Sequence, residues 1–307
     1  MSSSIGRLRS LVAAYPELLG VLVAAAIGLS VQAPLAWLAA RQGINVLLAV
    51  LVFATALGVE PAALRRLGDA WRPLLASLVV GITLLPALSW VASRLVAAGS
   101  LRDGVMVVGL APCEIASVAT TAMAGGATVL AAGILVASTV GAIAIAGPAL
   151  GLEAGQVHID TGQIVVSLAL VVALPLAAGL LLRAARPPGA TMEKAASVTA
   201  TVTVSALVAL IASEVHVSGR YFGVLWGLLV FLAGSAIVGW LLGRRSPRTT
   251  AGALLLTTSM RDFAIAASLA VAAFGPAAAA PLGLYGILVL IWGTATAGTV
   301  RRRAGVG

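Results

Sequence analysis

Apolar residues run along the whole chain in stretches of about 20, separated by short polar connections. As helix, a stretch of that length crosses roughly 30 Å of hydrocarbon. Ten can be placed, at 16–33, 44–62, 73–97, 103–124, 127–150, 161–184, 192–213, 221–242, 248–273 and 277–298. The connections carry glycine, proline or charge, as in "RPPGAT" and "GRRSPRT". The pattern predicts an all-α polytopic membrane protein with ten transmembrane helices. Residues 1–307 then form one transmembrane unit with no room for a separate soluble domain.

Two stretches depart from the pattern. The fourth contains "GLAPCEIASVATTAMAGG", with Pro112 and Glu114 in the middle of a span. The ninth contains "SMRDFAIAASLAVAAFG", with Arg261 and Asp262 in the same relative place. Each sets an acid early, then Ala- and Ser-rich helix, then a glycine. Glu114 and Asp262 stand 148 residues apart (262 − 114), about half the chain. Ten helices divide into five and five, and an odd number per half turns the second copy upside down. The reading is therefore two inverted five-helix repeats, about 16–150 and 161–298. Helices four and nine are discontinuous and crossing, broken at Pro112 and Cys113 and at Ser259 and Met260. A proline breaks the first, and hydroxyls in "TTSMRDF" serve the second. Two half-helix N-termini at one midplane point would offer unpaired N–H groups and positive dipole ends to an anion.

Charge fixes the orientation. Mean hydropathy is +1.10 and 9% of residues are charged, far below the quarter of a soluble domain. The net charge is +9. Of 19 basic residues, 14 fall on one side: Arg7, Arg9, Arg65, Arg66, Arg72, Arg183, Arg186, Lys194, Arg244, Arg245, Arg248 and Arg301 to Arg303. Arg41, Arg94, Arg102 and Arg220 fall on the other. Basic connections stay in the cytoplasm, so both termini are expected there, in a multi-pass protein of the cell membrane. The positive charge then serves orientation and contact with anionic lipid of the bilayer, not nucleic acid. The opening "MSSSIGRLRSLVAAYPELLG" has the basic start and apolar run of a secretion signal. A retained first helix fits the charge alternation better.

Glu114, Arg261 and Asp262 are the charges within spans, and each is costly at the bilayer centre, by about 3 kcal/mol on insertion scales. They are candidate substrate- or ion-binding residues, with Ser117, Thr257 and Thr258. The structural alternative has both acids capping half-helices while Arg261 neutralises one. Cys113 is a candidate soft-metal or metalloid ligand, but one cysteine without a nearby histidine makes a poor metal site. No metal or other cofactor is expected. His158 and His216 read as loop histidines, and Trp37, Trp71, Trp226, Trp240 and Trp292 as interface anchors. Small residues at Ala122, Gly126, Gly133 and Ala137 read as close helix packing. No nucleophile elbow or P-loop occurs, so an enzyme or sensor is the weakest reading.

"APCEIASVATTAMAGGATVLAAGILVAST" and "TTSMRDFAIAASLAVAAFGPAAAAPLGLYGILVL" resemble the bile acid:sodium symporter family. The resemblance implies a panel domain (helices 1, 2, 6 and 7) moving against a core domain (helices 3–5 and 8–10). It implies a secondary transporter of a small organic anion by alternating access, usually with sodium. The sodium machinery departs from the family's pattern. Thr257, Met260, Arg261 and Asp262 stand where it has Glu, Met, Gln and Asn. Val118 follows Ser117 where an Asn is implied. Ala131 and Leu135 replace hydroxyls, and no Gln or Asn lies within 73–97. Sodium is the coupling ion the resemblance implies, against these losses. The reading of the residues is that Arg261 takes a cation's place and Glu114 is free to carry a proton, in proton-coupled or uncoupled transport. A metalloid efflux permease, prompted by Cys113, is the alternative. Substrate identity, direction and oligomeric state are left open.

Overall fold

The computed structural model describes residues 16–59, 65–153, 162, 166, 168–185, 189–213, 219 and 221–303. His158 and His216 lie outside them. Among the described residues the chain is helical and forms no strand. Its helices are α1 Pro16–Ser30, α2 Gln32–Ala40, α3 Gly43–Gly58, α4 Trp71–Ser93, α5 Ser100–Val107, α6 Ala116–Met123 and α7 Thr128–Glu153. They continue as α8 Leu174–Ala185, α9 Ala190–Ser213, α10 Tyr221–Gly243, α11 Arg248–Ser259, α12 Phe263–Phe274 and α13 Ala280–Arg303. A π-helical turn, Ala169–Ala173, leads into α8.

Among the described residues, five segments are long and apolar enough to cross a bilayer alone: Trp71–Ser93, Thr128–Ile145, Thr191–Ser213, Tyr221–Gly243 and Pro276–Val300. Gln32–Ala39 with Gly43–Gly58 makes a sixth if that pair is one span. The predicted connection at 34–43 is corrected here, because most of it is the helix α2. Its alanines and leucines sustain helix until Gln42, whose φ of 66° turns the chain. α2 and α3 meet at a bend of 73°.

Large apolar side chains such as Leu75, Val79, Leu181, Phe222 and Ile237 face outward, as a lipid solvent requires. Trp37, Trp71, Trp226 and Trp240 are also exposed. The Arg41 guanidinium lies 4.1 Å from the Trp37 ring centre. Trp292 departs from this set. It is half-buried, and its Nε1 donates to Ser259 Oγ at 2.9 Å. Through this bond it holds the end of α11.

The helices pack in two groups. α9 lies along α1 and α3, and α3 also lies along α8. α4 packs on α5, α7 and α10, and α10 packs on α11. Small residues let backbones approach within the second group. Gly109 is the tightest case that bears on the site, because a Cβ there would overlap the Leu85 carbonyl and the Ser89 hydroxyl of α4. Ser89 in turn donates to the Met106 carbonyl at 2.7 Å. Gly109→Val is expected to cost about 3 kcal/mol, the upper end for overpacking, because backbone must move. Thermal melting of the purified variant in detergent checks this. Gly133, one of the predicted packing residues, faces the end of the Leu67 side chain instead of backbone.

Candidate functional site

Both unusual stretches split into two helices. α5 continues through the 3-10 turn Val108–Leu110, and then Ala111 is extended. Helix resumes at Ala116. Pro112 accounts for this stop, since it lacks an N–H and pushes the residue before it out of the helical region. In the ninth stretch α11 ends at Ser259, Met260 and Asp262 are extended, and α12 begins at Phe263. No proline acts here, and the free backbone groups find other partners. The Tyr285 hydroxyl donates to the Ser259 carbonyl at 3.4 Å and accepts from the Arg261 N–H at 3.2 Å.

The two breaks lie against each other as one antiparallel bridge, Cys113 with Arg261. The Glu114 N–H donates to the Met260 carbonyl at 2.8 Å, and the Asp262 N–H donates to the Pro112 carbonyl at 2.9 Å. These bonds exchange under a shift of 148 residues (262 − 114 and 260 − 112), so the crossing is locally two-fold. Extended backbone sends neighbouring side chains to opposite faces. Cys113 and Arg261 leave on one face, and Glu114 and Asp262 on the other.

The acids have unequal work. Asp262 is 1% exposed and caps α12, its Oδ1 accepting from Ala264 N at 3.0 Å and Ile265 N at 2.8 Å. Glu114 is 3% exposed. One methylene longer, it spans both helices. Oε1 faces Ala116 N of α6 at 3.5 Å and Oε2 accepts from Phe263 N of α12 at 3.3 Å. Ala266 N bonds the Asp262 carbonyl at 3.0 Å. The first four N–H groups of α12 are thus all taken. The expectation of unpaired N–H groups awaiting an anion is corrected: the chain's own carboxylates fill that place.

Arg261 also departs from expectation. It is 5% exposed, and its Nη2 donates to the Ala111 carbonyl across the crossing. The guanidinium lies beside Gly81 of α4, on the helix that lacks the implied Gln. Among the described residues the one ion pair is Arg183–Glu193 at 3.3 Å. Arg261 therefore neither faces Glu114 nor neutralises Asp262 by direct contact, because the pleat turns it away. It lines a small cavity of about 20 Å³ with Gly81, Pro86, Ser138 and Gly141, room for about one water.

The hydroxyls and the thiol belong to the frame of the crossing. Ser117 Oγ lies 2.9 Å from Cys113 Sγ. Thr257 donates to the Ala253 carbonyl at 2.8 Å, and Ser259 to the Leu255 carbonyl at 2.7 Å. Thr258 Oγ1 is buried without a partner. Met260 Sδ accepts from Thr120 Oγ1 at 3.5 Å. Cys113 is fully buried in a cluster with Leu130, Ala131, Ile134 and Leu135. Ala131 and Leu135 are thus apolar members of one buried cluster with the thiol. No group of three His, Cys, Asp or Glu side chains that could hold a metal occurs among the described residues.

A cavity of about 570 Å³ opens on the Glu114 face. It runs from Glu114 and Phe263 to the helix ends at Gly58, Thr128 and Glu193, between α3 and α9 on one side and α6 on the other. Of the predicted binding residues, Glu114 lines it, and Cys113 does not. Several residues that shape the site escaped the sequence reading. Glu193, Ser197, Thr201 and Ser205 line the cavity from α9, where they read as one polar stripe of a span. Tyr285 in "YGIL" and Ser138, whose Oγ accepts from Cys113 N at 3.1 Å, hold the breaks. A hydroxyl just beyond Leu135 was the available signal for Ser138.

No curated protein matches the chain. The model of the Sodium Bile acid symporter family matches residues 45–223. That range contains the first break and ends before the second. The paired breaks and the buried acid between helices accord with a match over more than half of the chain, which belongs to the sodium bile acid symporter family.

Proposed function

We propose that this membrane transporter is a proton-coupled secondary carrier that works by alternating access, with Glu114 as the proton site. One observation carries the reading. Glu114 sits at the inner end of a cavity of about 570 Å³ and bridges two half-helices that meet there. A substrate in the cavity thus touches the group that fixes the crossing. The packing of α1, α3, α8 and α9 apart from α4, α5, α7, α10 and α11 supports a panel moving against a core. The local two-fold at Cys113 and Arg261 supports ten helices in two inverted repeats.

The cavity reaches the helix ends at Gly58, Thr128 and Glu193, which the basic residues assign to the cytoplasm. At the other end of α3, Ser268 of α12 donates to Asn45 Oδ1 at 2.7 Å and joins the two helix groups. This arrangement corresponds to a cytoplasm-facing state closed on the outer side.

In this reading Arg261 does a bound cation's work. Its guanidinium keeps its charge at any cellular pH, and it ties the second break to the Ala111 carbonyl of the first. The apolar Ala131 and Leu135 fit the same account. Metalloid efflux loses its support, since Cys113 is buried away from the cavity.

The experiment is a melting and uptake series on purified protein and proteoliposomes. Sodium replacing choline is expected to leave the melting temperature unchanged, because no binding means no shift. A pH gradient is expected to drive solute flux without sodium. Flux that follows a sodium gradient and ignores pH would overturn the reading.

A further inference from the structure

The family resemblance implies an organic anion as substrate, and the cavity dictates how one can lie in it. Its inner end is Glu114, 3% exposed. An anion entering charge-first would bring two acids together away from water, the costly arrangement for like charges. The N–H groups of α12 at that end are already held by Asp262 and Glu114. Entering body-first, the same solute would lie along apolar Leu51, Ala54 and Ile115 and leave its charge near the mouth. Beside this apolar surface α9 contributes the stripe Glu193, Ser197, Thr201 and Ser205. The stripe runs over 12 positions (205 − 193), about 18 Å of helix, so the two ends of the cavity are well separated.

A cation stands at the mouth. Arg183 lies in the last turn of α8, with its side chain 11% exposed. Its Nη2 donates to Glu193 Oε1 at 3.3 Å, and its Nη1 is buried without a partner. A guanidinium can take both oxygens of one acid in parallel, at about 2.7–2.9 Å. Here it holds a single oxygen, at a longer distance. Glu193 is 58% exposed and lines the cavity. The pair is therefore unequal: the cation is enclosed and under-satisfied, while the acid is largely in water and able to turn outward.

We infer that Arg183 receives the anionic group of the substrate at the cavity mouth, in exchange for Glu193, while the apolar body of the solute points toward Glu114. The inference rests on the carrier reading above and adds to it a specificity-determining residue and an orientation. Glu193 is then a built-in competitor for the site. It keeps Arg183 neutralised while the cavity is empty, and its release into water accompanies loading. The charge and the proton site lie at opposite ends, so substrate and proton can occupy the cavity together.

Equilibrium dialysis on the full chain in an uncharged detergent tests this, with cholate as the anion and its methyl ester as the neutral counterpart, at a pH where cholate is charged. Arg183→Gln is expected to weaken cholate by at least about tenfold, the loss of a charge-assisted contact. Glu193→Gln is expected to strengthen cholate by about threefold, the scale on which a part-exposed pair competes. Arg183→Lys keeps the charge without the fork and is expected to fall between parent and Arg183→Gln, which guards against a folding defect. Methyl cholate is expected to bind all four proteins alike. Attraction from other basic residues of the same side, such as Arg65, Arg66 and Arg186, is common to parent and variants. An ion pair that only joins α8 to α9 would give a different result, with Arg183→Gln and Glu193→Gln moving both ligands in one direction. That result, cholate binding indifferent to Arg183→Gln, or no cholate binding by the parent would each overturn the assignment. Proton-driven flux of a solute in parent proteoliposomes would then leave the carrier reading standing, while its absence would remove that too.

Discussion

Replacing Asp262 by alanine is expected to cost about 3 kcal/mol, while replacing it by asparagine leaves stability and transport largely intact. Asp262 Oδ1 accepts from two backbone N–H groups, at 3.0 and 2.8 Å, in a site 1% exposed. Losing a cap costs about 0.5–2 kcal/mol. Each buried N–H left unsatisfied adds roughly 1–3 kcal/mol. Asparagine offers the same oxygen at the same distance and caps as well as aspartate. The comparison separates the two acids, since Glu114→Gln keeps one of the two N–H contacts of Glu114 and is expected to remove coupling. Melting of both variants in detergent and flux in proteoliposomes make the measurement. Asparagine at this position that melts like the parent yet carries nothing would show that Asp262 takes part in transport as a charge.

The breaks were legible from the sequence because they violate local rules. Pro112 cannot sit inside a regular helix, and an acid in a span is costly enough to need a reason. The pairing of Glu114 with Asp262 followed from their spacing, and the structure adds that their backbones share two hydrogen bonds. The direction of Arg261 was not legible. Sequence places it next to Asp262, but only the pleat of the paired breaks decides which face it leaves by. A neighbour in sequence thus became a stranger in space. The occupied N-terminus of α12 was hidden for a similar reason. Glu114 reaches Phe263 N from a stretch 149 positions away, and the extra methylene that allows it has meaning only once the crossing is built. Trp292 shows a second use that the sequence did not reveal, because an indole has two. Its ring suits an interface, and its N–H suits a hydroxyl such as Ser259. The cavity wall on α9 was marked in the sequence by the polar stripe Glu193, Ser197, Thr201 and Ser205, but which neighbour that stripe faces is decided by packing.

Replacing Arg261 by glutamine is expected to make the protein dependent on an added cation. Arg261 supplies the positive charge of the crossing and donates to the Ala111 carbonyl, while the other two charges there are carboxylates. Without it, one buried carbonyl loses its donor, at roughly 1–3 kcal/mol. Two acids also remain with no compensating charge, which a low-dielectric interior penalises further. Relief can come from a proton on an acid or from a small cation in the vacated volume beside Gly81 and Ser138. The new amide oxygen and the Ala111 carbonyl would be among its ligands. The variant is therefore expected to melt lower than the parent in choline buffer and to recover part of the difference in sodium or at acidic pH. Transport in choline is expected to fall by at least about tenfold, the rate equivalent of about 1.4 kcal/mol. Arg261→Lys keeps a charge but loses the planar fork that reaches a carbonyl across the crossing, so it is expected to fall between the two. Equal melting temperatures for parent and glutamine variant in choline, with equal flux, would mean that the guanidinium fills space and does not stand in for an ion. A sodium-dependent gain in the variant alone would show that one fixed positive charge holds the two breaks together in the place of a mobile one.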